Sequence, residues 1–378
     1  MFPHKVFIVC LLIFLGLFLL SCQNIDVIEP DKDNNTENID KEEGIKNIPN
    51  KVRLLYTANF DGCILPGEYK IGNSKEMLYR PGFARIATVL NNLRSERIPT
   101  LTVSGGNDYG REFYDEFNGV AAAILLDEMG YNIITPEYNE FRDGEDTYDA
   151  SIKDTKYDIL SGNMEYKSRE TSKNDKNYIE LDLYGRKGYH SRSLKRRVKP
   201  FVIKEINGHK IGFLSSLGLR DLRGLRKSDV DASPRNEFTH KKTETEIILT
   251  ERTRQIREEG AEIIIFLVGS KDKDDVSVIK QDLLDVDIAL LSINEKIPEN
   301  FDESKFNFDF SKLKTKVYFY STYETENTTI LQIDLEFVEG KDGKNVIKQS
   351  HKMVKITKDT AEDPKIKKIV DEFASQLP

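Results

Sequence analysis

Five carboxylates fall in the segments that follow apolar runs of this sequence: Asp61, Asp108, Glu140, Asp143 and Glu295. Gathered at one end of a sheet, they would offer hard oxygens suited to Ca2+ or Mg2+ rather than Zn2+. Read singly, they are the acidic loop residues of a highly charged chain. Imidazole chemistry has little to work with. His4, His190, His209, His240 and His351 are scattered, with no HxH or HExxH pair, and the last four lie in polar or hairpin contexts that read as surface. Three cysteines cannot build a four-cysteine zinc site. Cys63 has no base near it in sequence and reads as an inert thiol rather than a nucleophile.

A second cluster is cationic. Arg186, Lys187, Arg192, Lys195, Arg196, Arg197 and Lys199 lie close together, and Arg220, Arg223, Arg226 and Lys227 follow. Arg192, Lys195, Arg196, Arg197 and Lys199 are the candidates for binding an anion, whether phosphate, anionic lipid or polyanionic glycan. The plainer reading is a solvated loop whose charges balance nearby carboxylates.

The elements that must position these groups alternate in type. Val52–Tyr56 is a short buried strand, and Phe83, Ile86, Val89, Leu90 and Leu93 recur at helical spacing within 82–97. Strands are expected at 100–103, 132–135 and 158–160, with a helix over 120–129 closed by Gly130. Asn207-Gly208 marks a hairpin between strands 199–206 and 209–215. A helix over 243–259 stops at Gly260, and strands follow at 262–268, 287–291, 316–320, 329–339 and 346–356, the last two turning at Asp342-Gly343. A final helix starts near Pro364. This alternation, without an internal repeat, predicts a layered α/β domain.

The strand ends carry a resemblance. Leu54-Leu55-Tyr56-Thr57-Ala58-Asn59-Phe60-Asp61-Gly62 resembles the first motif of the 5′-nucleotidase branch of the calcineurin-like metallophosphoesterases, a strand followed by Thr-Asn-Asp-x-His-Gly. Pro81-Gly82-Phe83-Ala84-Arg85 is similar to the Gly-Gly-Leu-Ala-Arg segment that opens the next helix, and Ser104-Gly105-Gly106-Asn107 to the Gly-Asp motif. Glu137-Tyr138-Asn139-Glu140-Phe141 resembles Gly-Asn-His-Glu-Phe, and Leu160-Ser161-Gly162-Asn163 resembles Leu-Ser-Ala-Asn. Glu262–Gly269 and Asp287–Glu295 are similar to the strands ending in Ser-His and Gly-His-Thr-His, and the helix from Asp363 to the family's connector. The likeness runs from Lys51 to Pro378, with a polar insertion near 166–198. It implies a sandwich of two mixed β-sheets flanked by helices. The family's C-terminal nucleotide-binding domain is not expected.

The resemblance also implies what the site has exchanged. Asn59 stands at a metal-binding Asp, Asp61 at a His, Asn107 at the metal-bridging Asp, Tyr138 at an Asn ligand and Asn139 at the transition-state His. Gly269, Ile293 and Glu295 stand at three further histidines. Two-metal hydrolysis needs carboxylates and imidazoles to hold ions about 3.5–4 Å apart, and an amide carries no charge to offset them. The expectation is a scaffold with vestigial positions, no catalytic residue, no bound metal and no cofactor.

The N-terminus reads as an address. Val6–Leu20 is a 15-residue apolar run, shorter than the roughly 20 residues of a membrane span and typical of a secretory signal. Leu19-Leu20-Ser21-Cys22 resembles a bacterial lipobox, which implies cleavage after residue 21 and a lipidated Cys22. Several acyl chains make a lasting membrane anchor. Residues 22–50 then form a flexible acidic tether without an aromatic residue, and 51–378 the folded domain. With Cys10 removed and Cys22 acylated, Cys63 has no disulfide partner.

Composition bounds the class of protein. The 378 residues include 64 acidic and 56 basic side chains, a net charge of −8 that argues against nucleic acid, and 20 Phe with 16 Tyr to build a core. The expected place is the bacterial envelope, on the outer membrane rather than the inner because Gln23, not Asp, follows Cys22. Three roles are consistent with this: a lipid-anchored non-catalytic binding or structural protein, a metal-dependent phosphatase with an altered site, or a surface adhesin or envelope-assembly factor. Beyond the membrane, the partner is an anionic ligand or a protein that the sequence does not name.

Overall fold

The computed structural model describes residues 50–70, 77–137, 139–163, 196–216, 242–270, 285–293, 313–320, 328–340 and 345–378. These fall within one unit, Ile45–Pro378. The expected signal, Cys22 and the expected tether up to residue 49 lie outside them.

Lys51–Thr57 forms β1, buried from its second residue onward as befits a strand covered on both faces. A small hairpin follows, β2 (Gly67–Lys70) and β3 (Met77–Arg80). Next come α1 (Gly82–Arg94), β4 (Thr100–Ser104), α2 (Arg111–Phe117), α3 (Val120–Glu128) and β5 (Ile133–Ile134). A 3-10 turn at Asn139–Phe141 precedes α4 (Glu145–Ser151), β6 (Asp158–Leu160) and β7 (Val198–Lys199). The second half holds β8 (Val202–Ile206), β9 (His209–Ser216), α5 (Lys242–Glu258), β10 (Ile263–Ser270), β11 (Ile288–Ile293) and β12 (Lys316–Tyr320). Two long strands, β13 (Thr328–Glu339) and β14 (Asn345–Ile356), and α6 (Pro364–Ala374) complete it.

The strands build two mixed sheets, ordered β14-β13-β1-β4-β5-β6-β7 and β12-β11-β10-β9-β8. In the first, β1 pairs parallel with β4 and antiparallel with β13. In the second, β9, β10, β11 and β12 run parallel and β8 antiparallel. Side chains alternate across β1, so Leu54 and Tyr56 enter the core between the sheets while Leu55 faces the helices. Phe213, Ile265 and Leu290 meet that inner core from the other sheet. Phe83, Leu90, Leu125 and Ile366 cover the first sheet's outer face, and Leu249 and Ile256 cover the second's. Asp363 caps α6 by accepting from Ile366 N at 2.9 Å.

Three expectations needed correction. The strand expected over 199–206 is two, because Val198–Lys199 pairs with β6 in one sheet and Val202–Ile206 with β9 in the other. Pro200, which has no N–H to give a ladder, sits at the hand-over. The hairpin at 67–80 and helices α2 and α4 were not expected, being short, polar and without clear periodicity. His209 is buried rather than at the surface. Its ring stacks on Phe337 of the other sheet (centroids 3.7 Å apart), and Nδ1 lies 3.1 Å from Glu262 Oε1 within its own. His351 is exposed, and His4, His190, His240 and the turn at 342–343 lie outside the described residues.

Candidate functional site

Parallel pairing of β1 with β4 brings the loops after both strands side by side. A backbone ladder continues the pairing past the strands: Gly105 N donates to Thr57 O, Asn59 N to Gly106 O, Asp61 N to Asn107 O and Gly62 N to Asp108 O, all within 2.8–3.0 Å. To follow this path Asn59, Asp61 and Asn107 take left-handed backbone angles (φ 58°, 52° and 59°), which Asn and Asp tolerate best after Gly. Gly106 is required outright. At its φ of 87° a Cβ would stand 2.1 Å from Thr135 O.

Beneath the ladder lie two buried carboxylates. Glu140, 1% exposed, accepts four backbone amides: Asp108 N (2.7 Å) and Tyr109 N (3.2 Å) on Oε1, Asn107 N (3.1 Å) and Glu137 N (2.9 Å) on Oε2. Asp108, fully buried, has Ser104 Oγ in a very short contact on one oxygen and Phe60 N at 3.4 Å on the other. Ser104 Oγ accepts from Gly106 N at 3.0 Å. Burial, and then the charge of Glu140, hold the Asp108 carboxyl well above the usual range, and burial raises Glu140 against its amide donors. Both groups are spent on fixing the loops.

The upper layer is amides and one ion pair. Asn107 Nδ2 donates to Asn59 Oδ1 at 3.2 Å. Arg111 Nη2 donates to Asp61 Oδ2 at 2.9 Å and to Lys70 O at 3.2 Å, and the guanidinium lies 4.8 Å from the Tyr69 ring. Asn139 Nδ2 donates to the other oxygen of Asp61 at 3.1 Å and to Tyr109 O at 2.9 Å. Cys63 is buried just below. Burial pushes its thiol up to about 11, although Arg111 and Arg80 pull it down, in keeping with an inert thiol.

Asn59, Asp61, Asn107 and Asn139 are thus brought together. Gly269 and Ile293 lie near the ends of neighbouring parallel strands in the second sheet, where Gly269 registers with Ser292 and Ser270 with Ile293. Tyr138 and Glu295 lie outside the described residues. Of the five acidic candidates, Asp61, Asp108 and Glu140 converge and Asp143 sits half exposed beside Arg142. Among the described residues, no three His, Cys, Asp or Glu side chains are placed to hold one metal ion. In the cationic segment, Arg197 Nε lies 3.3 Å from Asp149, and Lys199 Nζ lies 2.6 Å from Asp158, which Lys204 also meets at 2.8 Å. Arg196 is exposed, and Arg192 and Lys195 lie outside the described residues.

Arg111 was not singled out by the sequence, which places it 50 residues from Asp61 in an unremarkable turn. A cation just past Asn107-Asp108-Tyr109-Gly110, in a site read as acidic, was the available signal.

Two mixed sheets packed face to face, helices outside and the candidate groups at the parallel strand ends define the calcineurin-like phosphoesterase fold. No protein-family model matches the chain, and no curated protein matches it in sequence. Solved structures do match. The 5′-nucleotidase precursor of Thermus thermophilus superposes with a TM-score of 0.61 at 13% identity, over 86% of this chain and 58% of its own. The calcineurin-like phosphoesterase YfkN of Bacillus subtilis gives 0.60 at 15% identity, over 86% of this chain and 97% of its own. The NAD nucleotidase of Haemophilus influenzae gives 0.58 at 14%, over 86% and 60%. The chain spans about three fifths of the length of the two nucleotidases it matches.

Proposed function

We propose that this protein is a lipid-anchored component of the bacterial envelope that uses a phosphoesterase scaffold for binding or structure rather than hydrolysis. The observation that carries this reading is the Arg111–Asp61 ion pair at 2.9 Å, inside the site where the resemblance calls for metal ions.

A pair of divalent cations needs unspent anionic oxygens or imidazoles. Here Asp61 already has a donor on each oxygen, and Asn59 and Asn107 bond each other. Asp108 and Glu140 hold backbone and serine donors below. Among the described residues, the side chains do not fit a two-metal centre. The anchor rests on the apolar run and on Cys22 at its end.

The test is hydrolysis of AMP and p-nitrophenyl phosphate by the purified chain with Mn2+ and with EDTA. Rates equal in both, at the uncatalysed level, are expected. Chelator-sensitive turnover lost in an Asp61→Asn variant would instead make the protein a phosphatase with an altered site. Labelling with radioactive palmitate, abolished by Cys22→Ser, checks the anchor.

A further inference from the structure

Strand β14 ends the first sheet. It pairs with β13 without a break from Thr328↔Ile356 to Glu339↔Asn345, and no other described strand lies along its outer side. Phe337 N donates to Asn50 O, so the odd-numbered residues of β13 turn their backbone groups to β1 and the even-numbered ones turn theirs to β14. By register, the N–H and C=O of Ile347, Gln349, His351, Met353 and Lys355 in β14 then point away from the sheet. Proteins usually blunt such an edge by keeping it short, bulging it, inserting Pro or covering it. β14 runs for 12 residues with no bulge, Pro or Gly.

What it carries is lysine. Lys348 and Lys352 share the outer face of the strand, and neither has an anion to itself. Lys348 registers with Glu336, whose carboxylate lies 3.8 Å from Lys51 Nζ, and Lys352 registers with Gln332. Asp334, between those two partners, is spent on the fork from Arg53. The other face presents half-buried Ile347 and Met353 at the margin of the core between the sheets. Bare cations along one edge of a chain of net charge −8 attract an anion-bearing partner. They repel a second copy, which if laid antiparallel about Ser350 would set Lys348 against Lys352 at two places.

We propose that β14 is a docking edge for an extended segment of a partner protein in which acidic and apolar residues alternate. The segment adds a further strand to the sheet, its main chain taking up the open N–H and C=O groups. Its acidic side chains lie beside Lys348 and Lys352, and its apolar ones beside Ile347 and Met353. The inference goes beyond the reading above, since it uses no group of the cleft and holds whether or not the cleft hydrolyses.

The probe is a fluorescein-labelled peptide of strand length that alternates Glu with Val, titrated with the full chain and read by anisotropy. One control is the same peptide N-methylated at every peptide bond, which keeps its charge but donates no ladder bond. The other alternates Lys with Val. The wild type should bind the acidic peptide, less tightly as salt rises, and leave both controls free. Lys348→Glu/Lys352→Glu should bind it about tenfold more weakly, because two cross-strand charge pairs turn from attractive to repulsive, and should take up the Lys peptide instead. His351→Pro removes an outward N–H without touching the ladder to β13 and should lose the acidic peptide.

Absence of binding by the wild type overturns the proposal. So does equal binding of the methylated peptide, which would reduce the edge to a patch of charge, and so does an affinity unmoved by the charge reversal. A dimer in sedimentation that His351→Pro takes apart would give the edge to a second copy and overturns it too. If His351→Pro does not fold, the charge-reversed variant and the methylated peptide still decide.

Discussion

Asn107 donates its side-chain amide to Oδ1 of Asn59 at 3.2 Å, joining by side chains two loops already laddered by backbone. Both partners are neutral, so the contact is insensitive to pH and needs no counter-ion. It sits directly over the Glu140 carboxylate, which accepts the backbone N–H of Asn107 itself.

Asn107→Asp therefore exchanges a donor for an anion beside an oxygen acceptor and above two buried carboxylates. Loss of about 1–3 kcal/mol of stability in EDTA is expected, read from urea unfolding. A variant as stable as the wild type would mean that the amide bond contributes nothing.

Glu140→Ala leaves four buried N–H groups without their acceptor and is expected to cost at least about 3 kcal/mol. Glu140→Gln keeps one carbonyl oxygen and should fall between the two. Chemical denaturation of both variants orders them against the wild type.

The Asp108–Glu140 pair sets a pH dependence. Burial raises both carboxyls in the folded chain, and the charge of Glu140 raises Asp108 further, while an unfolded carboxylate titrates near about 4. Above that value the folded chain holds a proton that the unfolded chain has released, so this contribution is complete at low pH and declines as pH rises through the folded value. Asp108→Asn should flatten the decline in urea midpoints measured from pH 4 to pH 8. Asp158 has the opposite sign. Burial alone would raise it, but Lys199 and Lys204 together hold it below the usual carboxylate range, so its share is lost as pH falls. That acid limb should persist in Asp108→Asn.

Cys63 should be silent toward a disulfide reagent at pH 8 until denaturant is added, since its thiol is buried and pushed up to about 11. The difference in thiol count between the wild type and Cys63→Ser, with and without guanidinium, measures this one group. Labelling of folded protein at Cys63 would show an open cleft.

The sheet strands and longer helices within the described residues were legible because their apolar runs and stops are local. Ile263–Val268 is apolar throughout, and Gly130 and Gly260 stop helices at positive φ of 76° and 89°. The split at Pro200 was not legible, since membership of a sheet depends on neighbours far along the chain. His209 was misread for a similar reason. Its burial comes from Phe337, a residue of the other sheet. The loops after β1 and β4 were legible as strand ends that meet, but the chemistry of their side chains was not. Glu140 and Asp108 looked like possible ligands and instead serve backbone amides, and Arg111 gained its meaning only when folding brought it to Asp61.

The place of β1 bears on how the chain is made. One neighbour, β4, follows soon after it, but the other, β13, holds Asp334, whose carboxylate receives a two-nitrogen fork from Arg53 281 residues earlier. At about 5–20 residues per second a ribosome takes roughly 15–60 seconds to supply that partner. Throughout that interval one flank of an apolar strand stands unpaired, an edge open to the wrong partner until the tail arrives.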